Sequence, residues 1–102
     1  MLCSHTIGVD CKKMNEAKKH LLEKKISYSD LRTLIEAFNY GTATPVCALI
    51  SYLKELYLII SNNEKVIINT NDGIFKEINK NNFSDFVLQY FDQYILDSIL
   101  EK

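Results

Sequence analysis

The alternation of apolar and polar residues is clearest in the second half of the chain. Residues 65–70 and 74–78 each alternate in the manner of half-buried strands, and the Asn-Asp-Gly sequence at 71–73 tolerates the positive φ of a tight hairpin turn. Residues 56–61 predict a further strand, which the loop 62–64 joins to this hairpin. The pattern therefore predicts a three-stranded antiparallel meander.

Apolar residues recur at helical rather than strand spacing after this sheet. Because an isolated three-stranded sheet has to bury one of its faces, we predict a C-terminal helix that packs on the sheet. We interpret its apolar stripe as core rather than as a ligand-binding surface. The members of the stripe are Phe83, Phe86, Val87, Tyr90, Phe91 and Tyr94.

Two helices are predicted before the sheet. The second helix has a capping-box-like start, with Ser27 as the cap and Asp30 in place of the usual glutamate, and Gly41 ends it because glycine adopts positive φ readily. The first helix covers residues 12–25 and has a short apolar stripe between its charges. That stripe consists of Met14, Ala17, Leu21 and Leu22.

The segment 45–54 fits two structures. Thr44 and Pro45 suit the first positions of a helix, and the spacing of Val46, Leu49, Ile50 and Leu53 is helical. The alternation of Val46, Ala48, Ile50 and Tyr52 would equally suit a strand. Helix propensity favours the helix, and the strand remains the alternative.

Length and composition place these elements in one domain. The chain has 102 residues, of which 47% are hydrophobic and 25% charged, so we predict a single compact α+β domain over residues 1–102. The first residues lack the pattern of a signal peptide, and we expect a cytoplasmic protein. The apolar stretch 45–60 contains Lys54 and Glu55 and is too short for a bilayer, so we expect no membrane span.

The cysteines and histidines do not form a pattern that predicts chemistry. Cys3, Cys11 and Cys47 are odd in number and are expected to be reduced, with Cys47 in the core. A zinc site would need Cys3, His5, Cys11 and His20, but their spacings lack the close pairs of zinc ligands, and His20 suits a solvated helix. We therefore expect no metal, no cofactor and no enzymatic activity.

Charge is distributed unevenly along the chain. Residues 12–32 contain seven basic and three acidic groups, whereas residues 33–102 contain five basic and nine acidic groups. The first helix is interpreted as a solvated amphipathic helix with Lys–Glu pairs four residues apart. A nucleic-acid-binding regulator is the alternative. It would use Lys12, Lys13, Lys18, Lys19, Lys24 and Lys25.

Two segments resemble a known family. ISYSDLRTLIEAFNYG at 26–41 and KVIINTNDGIFKEINKNNFSDFVLQYF at 65–91 are similar to the SUKH superfamily of bacterial immunity proteins, and together they cover under half of the chain. The resemblance implies a small α+β protein that binds and blocks a toxin domain in contact-dependent growth inhibition. It implies no catalytic residues and assigns no binding residue by motif.

These observations predict an immunity or inhibitor protein that occludes a cognate toxin, for example a nuclease. A nuclease has a cationic active site, and an acidic surface would associate with it quickly. The polar residues beside the aromatic stripe are therefore the first predicted contacts, and Asp85 and Asp92 are expected on one side of one helix. A secretion chaperone or adaptor, active as a homodimer, is a further alternative, and the oligomeric state stays open. The predicted partner-binding residues are Asp85, Gln89, Asp92 and Gln93, followed by Tyr52, Glu55 and the loop 62–64.

Overall fold

Five helices and three short strands make up the part of the chain that the structure describes. This structure is a computed structural model, and it describes residues 11–40, 43–71 and 73–101. The elements are α1 (Cys11–Leu22), β1 (Lys25–Ile26), α2 (Tyr28–Tyr40), α3 (Ala43–Ser61), β2 (Val66–Ile68), β3 (Glu77–Ile78), α4 (Phe83–Tyr90) and α5 (Gln93–Leu100).

The three strands form a mixed sheet in the order β1-β2-β3. Strand β1 pairs with β2 in parallel, with Ile26 opposite Ile68, and β2 pairs with β3 antiparallel, with Val66 opposite Ile78. These four side chains are buried and form the inner face of the sheet. The α+β class is therefore confirmed, but the prediction of an all-antiparallel meander is wrong.

Residues 56–61 are helical, which corrects the predicted first strand. Helix α3 runs from Ala43 to Ser61 and so confirms and extends the helix predicted at 45–54. Its buried positions Leu49, Leu53, Leu56 and Ile60 recur at helical spacing, so one core face continues through the whole helix. Thr44 lies inside the helix rather than at its cap, and Pro45 is in the first turn, where proline is tolerated.

The predicted hairpin exists, but its strands are short and its connection is long. Strands β2 and β3 are joined by residues 69–76 rather than by a tight turn at 71–73. Gly73 has a φ of 69°, and Asp72 lies outside the described residues. Phe75 packs its ring against Phe86 of α4 at 5.8 Å instead of contributing to a strand face. The connection therefore packs against α4 through Phe75 and does not extend the pairing of β2 with β3.

The predicted C-terminal helix is two helices. The chain is extended at Asp92, whose carboxylate accepts a hydrogen bond from the Ile95 amide at 3.0 Å and so caps α5. The aromatic stripe is buried as predicted up to Phe91, apart from the half-buried Tyr90. Tyr94 is 68% exposed, so its predicted core position is wrong. Helix α5 packs mainly on α3 and α4, through Ile95, Leu96 and Ile99.

The start of the chain follows the predicted pattern more closely. The Ser27 hydroxyl accepts a hydrogen bond from the Asp30 amide at 3.1 Å, and the Asp30 carboxylate accepts one from the Ser27 amide at 3.0 Å, which confirms the capping box. Gly41 lies outside the described residues. Three of the four predicted core residues of α1 are buried, but Leu22 is 72% exposed, because it lies beside the buried stripe, about 100° around the helix from Leu21.

Helix α3 is also long and apolar enough to cross a membrane, judged by length and composition alone. It has 19 residues, and its most apolar window has a mean hydropathy of 1.4 and is 33% buried. It is thus longer than the stretch identified in the sequence, which was expected to be too short. Core helices of soluble proteins have the same properties. In this structure α3 contributes its buried face to the core and exposes Lys54 and Glu55 at its centre.

Candidate functional site

The last two helices form an acidic segment. Residues 81–101 contain four carboxylates and no lysine, arginine or histidine, and we call this range the acidic segment. Asp85, Asp92 and Glu101 are exposed, and Asp97 is half-buried. With so little neutralising charge along two consecutive helices, this part of the surface favours a cationic partner.

Helix α4 divides into a buried face and an exposed face. Phe83, Phe86 and Val87 are in the core, whereas Asp85 and Gln89 are exposed with Leu88 between them. The structure thus places the two predicted contact residues of α4 on the solvent side, one turn apart. Leu88 is an apolar residue in this exposed group, and the sequence reasoning did not select it.

Asp92 and Gln93 are exposed too, but both have local structural tasks. Asp92 caps α5, and the Gln93 side-chain amide donates a hydrogen bond to Asp97 at 2.9 Å. Because the helix breaks at Asp92, Asp85 and Asp92 do not share one side of one helix, which corrects that expectation. The Asp92 carboxylate therefore adds negative charge to the acidic segment and also caps α5.

Tyr94 is the most exposed aromatic residue that the structure describes. It follows the cap of α5 and is in the acidic segment, so an apolar ring and carboxylates share this part of the surface. Tyrosine is enriched at the energetically important positions of protein interfaces, because its large ring has a polar end. The signal that would have identified it is Asp92, an N-cap residue within an otherwise helical pattern.

The prediction that Tyr52 contacts a partner is wrong, because its side chain is fully buried. Its place on the core face of α3 follows from the spacing of Leu49, Leu53 and Leu56. Among the described residues its hydroxyl is a buried polar group without a hydrogen-bond partner. Burial, and then the charge of Asp30, raises the pKa of Tyr52 well above its usual value. Glu55 is exposed on the same helix, as predicted.

A histidine–aspartate pair connects the first two helices. The imidazole Nδ1 of His20 lies 2.9 and 3.1 Å from the two carboxylate oxygens of Asp30. His20 is in the last turn of α1 and the buried Asp30 is in the first turn of α2. These are the favoured helix ends for each residue type, because of the helix dipole. Since Asp30 also caps α2, the pair stabilises a helix junction, and His20 is more than the solvated residue expected.

A groove lies between α3 and α5. Its volume is about 500 Å³, and Tyr57, Leu58, Ile99 and Leu100 form its apolar lining while Lys54 and Glu101 add charge. The Tyr57 ring also contacts the ring of Phe83 at the start of α4, with 5.2 Å between the ring centroids. The end of α3 is thus in contact with both C-terminal helices.

The loop 62–64 borders a second, polar cavity of about 530 Å³. Its charges are largely neutralised within the chain, because Glu64 pairs with Lys24 and the Lys80 ammonium donates to Asn63 at 2.6 Å. Lys65 is 3.6 Å from Glu77 on the same side. This loop therefore has little free charge for a partner.

The basic residues of the first helix and the turn after it are partly paired. Lys24 contacts Glu64, and Lys25 is 3.1 Å from Glu23, where its hydrogen bond and then its charge lower the pKa of Glu23. Lys13 and Lys19 are exposed on α1. The alternative nucleic-acid surface thus has fewer available cations than the sequence suggested.

The predicted thiol and metal candidates are only partly described. Cys47 is exposed on α3 rather than in the core, since it lies on the opposite side of the helix from Leu49 and Leu53. Cys3 and His5 lie outside the described residues, as does the side chain of Cys11. Within the described ranges, no three histidine, cysteine, aspartate or glutamate residues are grouped as metal ligands.

No protein-family model, curated protein or solved structure matches this chain.

Proposed function

We propose that this chain is a bacterial immunity protein that binds a cationic toxin domain and occludes its active site. The observation that carries the proposal is the acidic segment: its sequence contains four carboxylates and no lysine, arginine or histidine, and it includes the exposed side chains of Leu88 and Tyr94. The resemblance of residues 26–41 and 65–91 to SUKH immunity proteins supports the same function. Occlusion requires a stable scaffold and a complementary surface, but no reaction centre.

Electrostatics explains why such a surface suits a toxin that acts on nucleic acid. An enzyme that holds a phosphate backbone has lysine and arginine around its active site. An acidic inhibitor is attracted to that region, associates quickly and competes with the substrate for the same charges. In this proposal the chain acts in the cytoplasm, needs no cofactor and has no enzymatic activity of its own.

Within the acidic segment, Asp85 is the residue best suited to test the proposal. It is exposed in the first turn of α4, so a charge reversal there costs only its interaction with the helix dipole, whereas a change at Asp92 removes the cap of α5. The change Asp85→Lys should lower the association rate with the toxin domain encoded beside this chain and weaken the salt dependence of that rate. Surface plasmon resonance at low and moderate salt measures both quantities.

The matched control is Glu16→Lys, which makes the same change in net charge at an exposed position of α1. It should leave association close to that of the unmodified chain. Equal rates and salt dependence for the Asp85 variant and the unmodified chain would contradict an acidic binding surface. A toxin domain that does not bind the unmodified chain would contradict the proposed function itself.

Nucleic-acid binding is the second candidate, favoured by the exposed Lys13 and Lys19 of α1. Binding of the purified chain to duplex DNA or RNA, weakening steeply with salt and lost on Lys13→Glu and Lys19→Glu together, would favour it over the immunity function.

A further inference from the structure

We propose that this chain associates with a second copy of itself, through a basic face of α1 on one copy and an acidic face of α4 on the other. The inference goes beyond the proposed function and does not depend on it. The basic face consists of Lys18, Lys19 and Leu22, and the acidic face consists of Asp85, Leu88 and Gln89.

The charges of the two helices are opposite in sign. Helix α1 contains four lysines and one glutamate, whereas α4 contains one carboxylate and no basic residue. Helix α5, which packs on α4, adds Asp97 and again no basic residue. Among the described residues, neither Lys19 nor Asp85 forms a salt bridge. Both charges are therefore available to a partner, and the two faces attract each other.

Each face also presents a leucine one turn after its charged residue. Leu22 follows Lys19 by three residues and is 72% exposed, and Leu88 follows Asp85 by three residues and is 44% exposed. Residues three apart are neighbours on a helix surface. When the two helices lie alongside each other in the same direction, the leucines therefore meet while Lys19 lies opposite Asp85. The contact removes both leucine side chains from water, and the opposite charges fix its register.

A second copy is the occupant that matches both faces. Residues 12–32 have seven basic and three acidic groups, whereas residues 81–101 have four acidic groups and no basic one, so every copy offers both sides of the contact. The net charge of −1 leaves little overall repulsion between two copies, and a net charge close to zero favours association. A nucleic acid or an acidic peptide would match only the basic face.

The contact is heterologous, because different faces of the two copies meet. Each member of a pair keeps one unused face, so further copies add at higher concentration unless a ring closes. The acidic face lies within the surface proposed to meet a toxin domain. Self-association would therefore cover that surface until a toxin domain displaces the second copy.

Sedimentation velocity of the full chain over a range of concentrations tests the inference. At low salt the average mass should rise with concentration above that of one chain, and moderate salt should return it to one chain. Lys19→Glu and Asp85→Lys should each weaken self-association by about tenfold or more, because each brings like charges into contact. The matched control is Lys13→Glu, which makes the same charge change at an exposed position on the opposite side of α1 from Leu22 and should leave self-association unchanged.

Two recoveries distinguish a defined contact from a general effect of charge or a folding defect. A chain with both Lys19→Glu and Asp85→Lys should associate again, because the ion pair is reversed rather than lost. A mixture of the two single variants should associate too, because the intact acidic face of the Lys19→Glu chain meets the intact basic face of the Asp85→Lys chain. A chain that had lost its fold would recover in neither case.

Several results would overturn the inference. One is a chain that stays single at low salt and high concentration, and another is self-association that the Lys19 and Asp85 changes leave unaffected. Equal effects of Lys13→Glu and Lys19→Glu, or a mixture of the single variants that does not associate, would overturn it as well. A chain that stays single and still binds the toxin domain leaves the proposed function standing, so the two failures are distinguishable.

Discussion

At the scale of single residues, Tyr52 is the least expected feature of the core. A hydroxyl that is removed from water without a hydrogen-bond partner costs free energy, and Tyr52 is such a group within the described chain. It is also near the buried Asp30, whose negative charge disfavours a phenolate. The Tyr52 hydroxyl therefore makes the stability of the core sensitive to alkaline pH.

The change Tyr52→Phe should raise the free energy of unfolding at neutral pH by up to about 1–3 kcal/mol, because it removes the unpartnered hydroxyl and keeps the ring. The pKa of Tyr52 is higher in the folded chain than in the unfolded chain, where it is about 10. Folding stability is therefore unaffected by the ionisation of Tyr52 below that pH and falls as the pH rises above it. Tyr52→Phe should lack this part of the fall in folding stability at alkaline pH. Urea unfolding at neutral and alkaline pH measures both effects.

Tyr94→Phe is the control for this comparison, because its hydroxyl is on an exposed side chain. It should have the stability of the unmodified chain at both pH values. A Tyr52→Phe protein that is clearly less stable at neutral pH would show that the hydroxyl has a stabilising partner.

At the scale of elements, the break between α4 and α5 decides which side chains face the core. Phe91 ends one buried run, and the extended Asp92 lets Ile95, Leu96 and Ile99 begin another in a new direction. A continuous helix would have placed Tyr94 with the aromatic stripe. The Asp92 cap therefore places Tyr94 on the surface and also stabilises α5.

Replacing Asp92 by alanine should lower the free energy of unfolding by about 1 kcal/mol, since it removes the cap of α5. Asp92→Asn should keep most of that stability, because asparagine also caps helices, while it removes the charge. Thermal unfolding of the two variants separates the cap from the charge. Similar stability of the alanine variant and the unmodified chain would contradict a structural role of this carboxylate.

Elements with a local signature could be predicted, and elements without one could not. The capping box at Ser27, three of the four predicted core positions of α1 and the core positions Phe83, Phe86 and Val87 of α4 followed from local sequence patterns. The prediction of a strand at 56–61 was wrong because its continuous apolar run fits a strand as well as a helix, and only the core face that begins at Leu49 decides for the helix. Strand β1 has two residues and a distant partner, so no nearby pattern could reveal it. The partner-binding role of Asp85 and Gln89 stays a prediction.

At the scale of the whole molecule, aromatic contacts connect the sheet region, α2 and the C-terminal helices. The ring of Phe86 is within 6.4 Å of the rings of Phe75, Tyr90 and Phe91, measured between centroids, and Phe91 also contacts Phe38 of α2. Phe86 is fully buried at the centre of this group. Elements far apart in sequence are therefore held by one shared cluster.

Phe86→Ala should lower the free energy of unfolding by about 3–5 kcal/mol, which approaches the whole stability of a small domain. Loss of the cooperative unfolding transition, followed by circular dichroism, is the expected result. Tyr94→Ala is the control and should change stability by less than about 0.5 kcal/mol, as an exposed substitution does. Equal stability of the two variants would mean that the core is not where the structure places it.

The parallel pairing of β1 with β2 affects the order in which the chain becomes structured. Ile26 pairs with Ile68, and helices α2 and α3 lie between these two residues in the sequence. Forming this contact therefore closes a large loop and is slow. During synthesis α1 to α3 leave the ribosome with one strand of the sheet unmatched. A nascent chain therefore exposes the apolar side chain of Ile26 until β2 emerges, and that interval is when a chaperone or a protease has access to it.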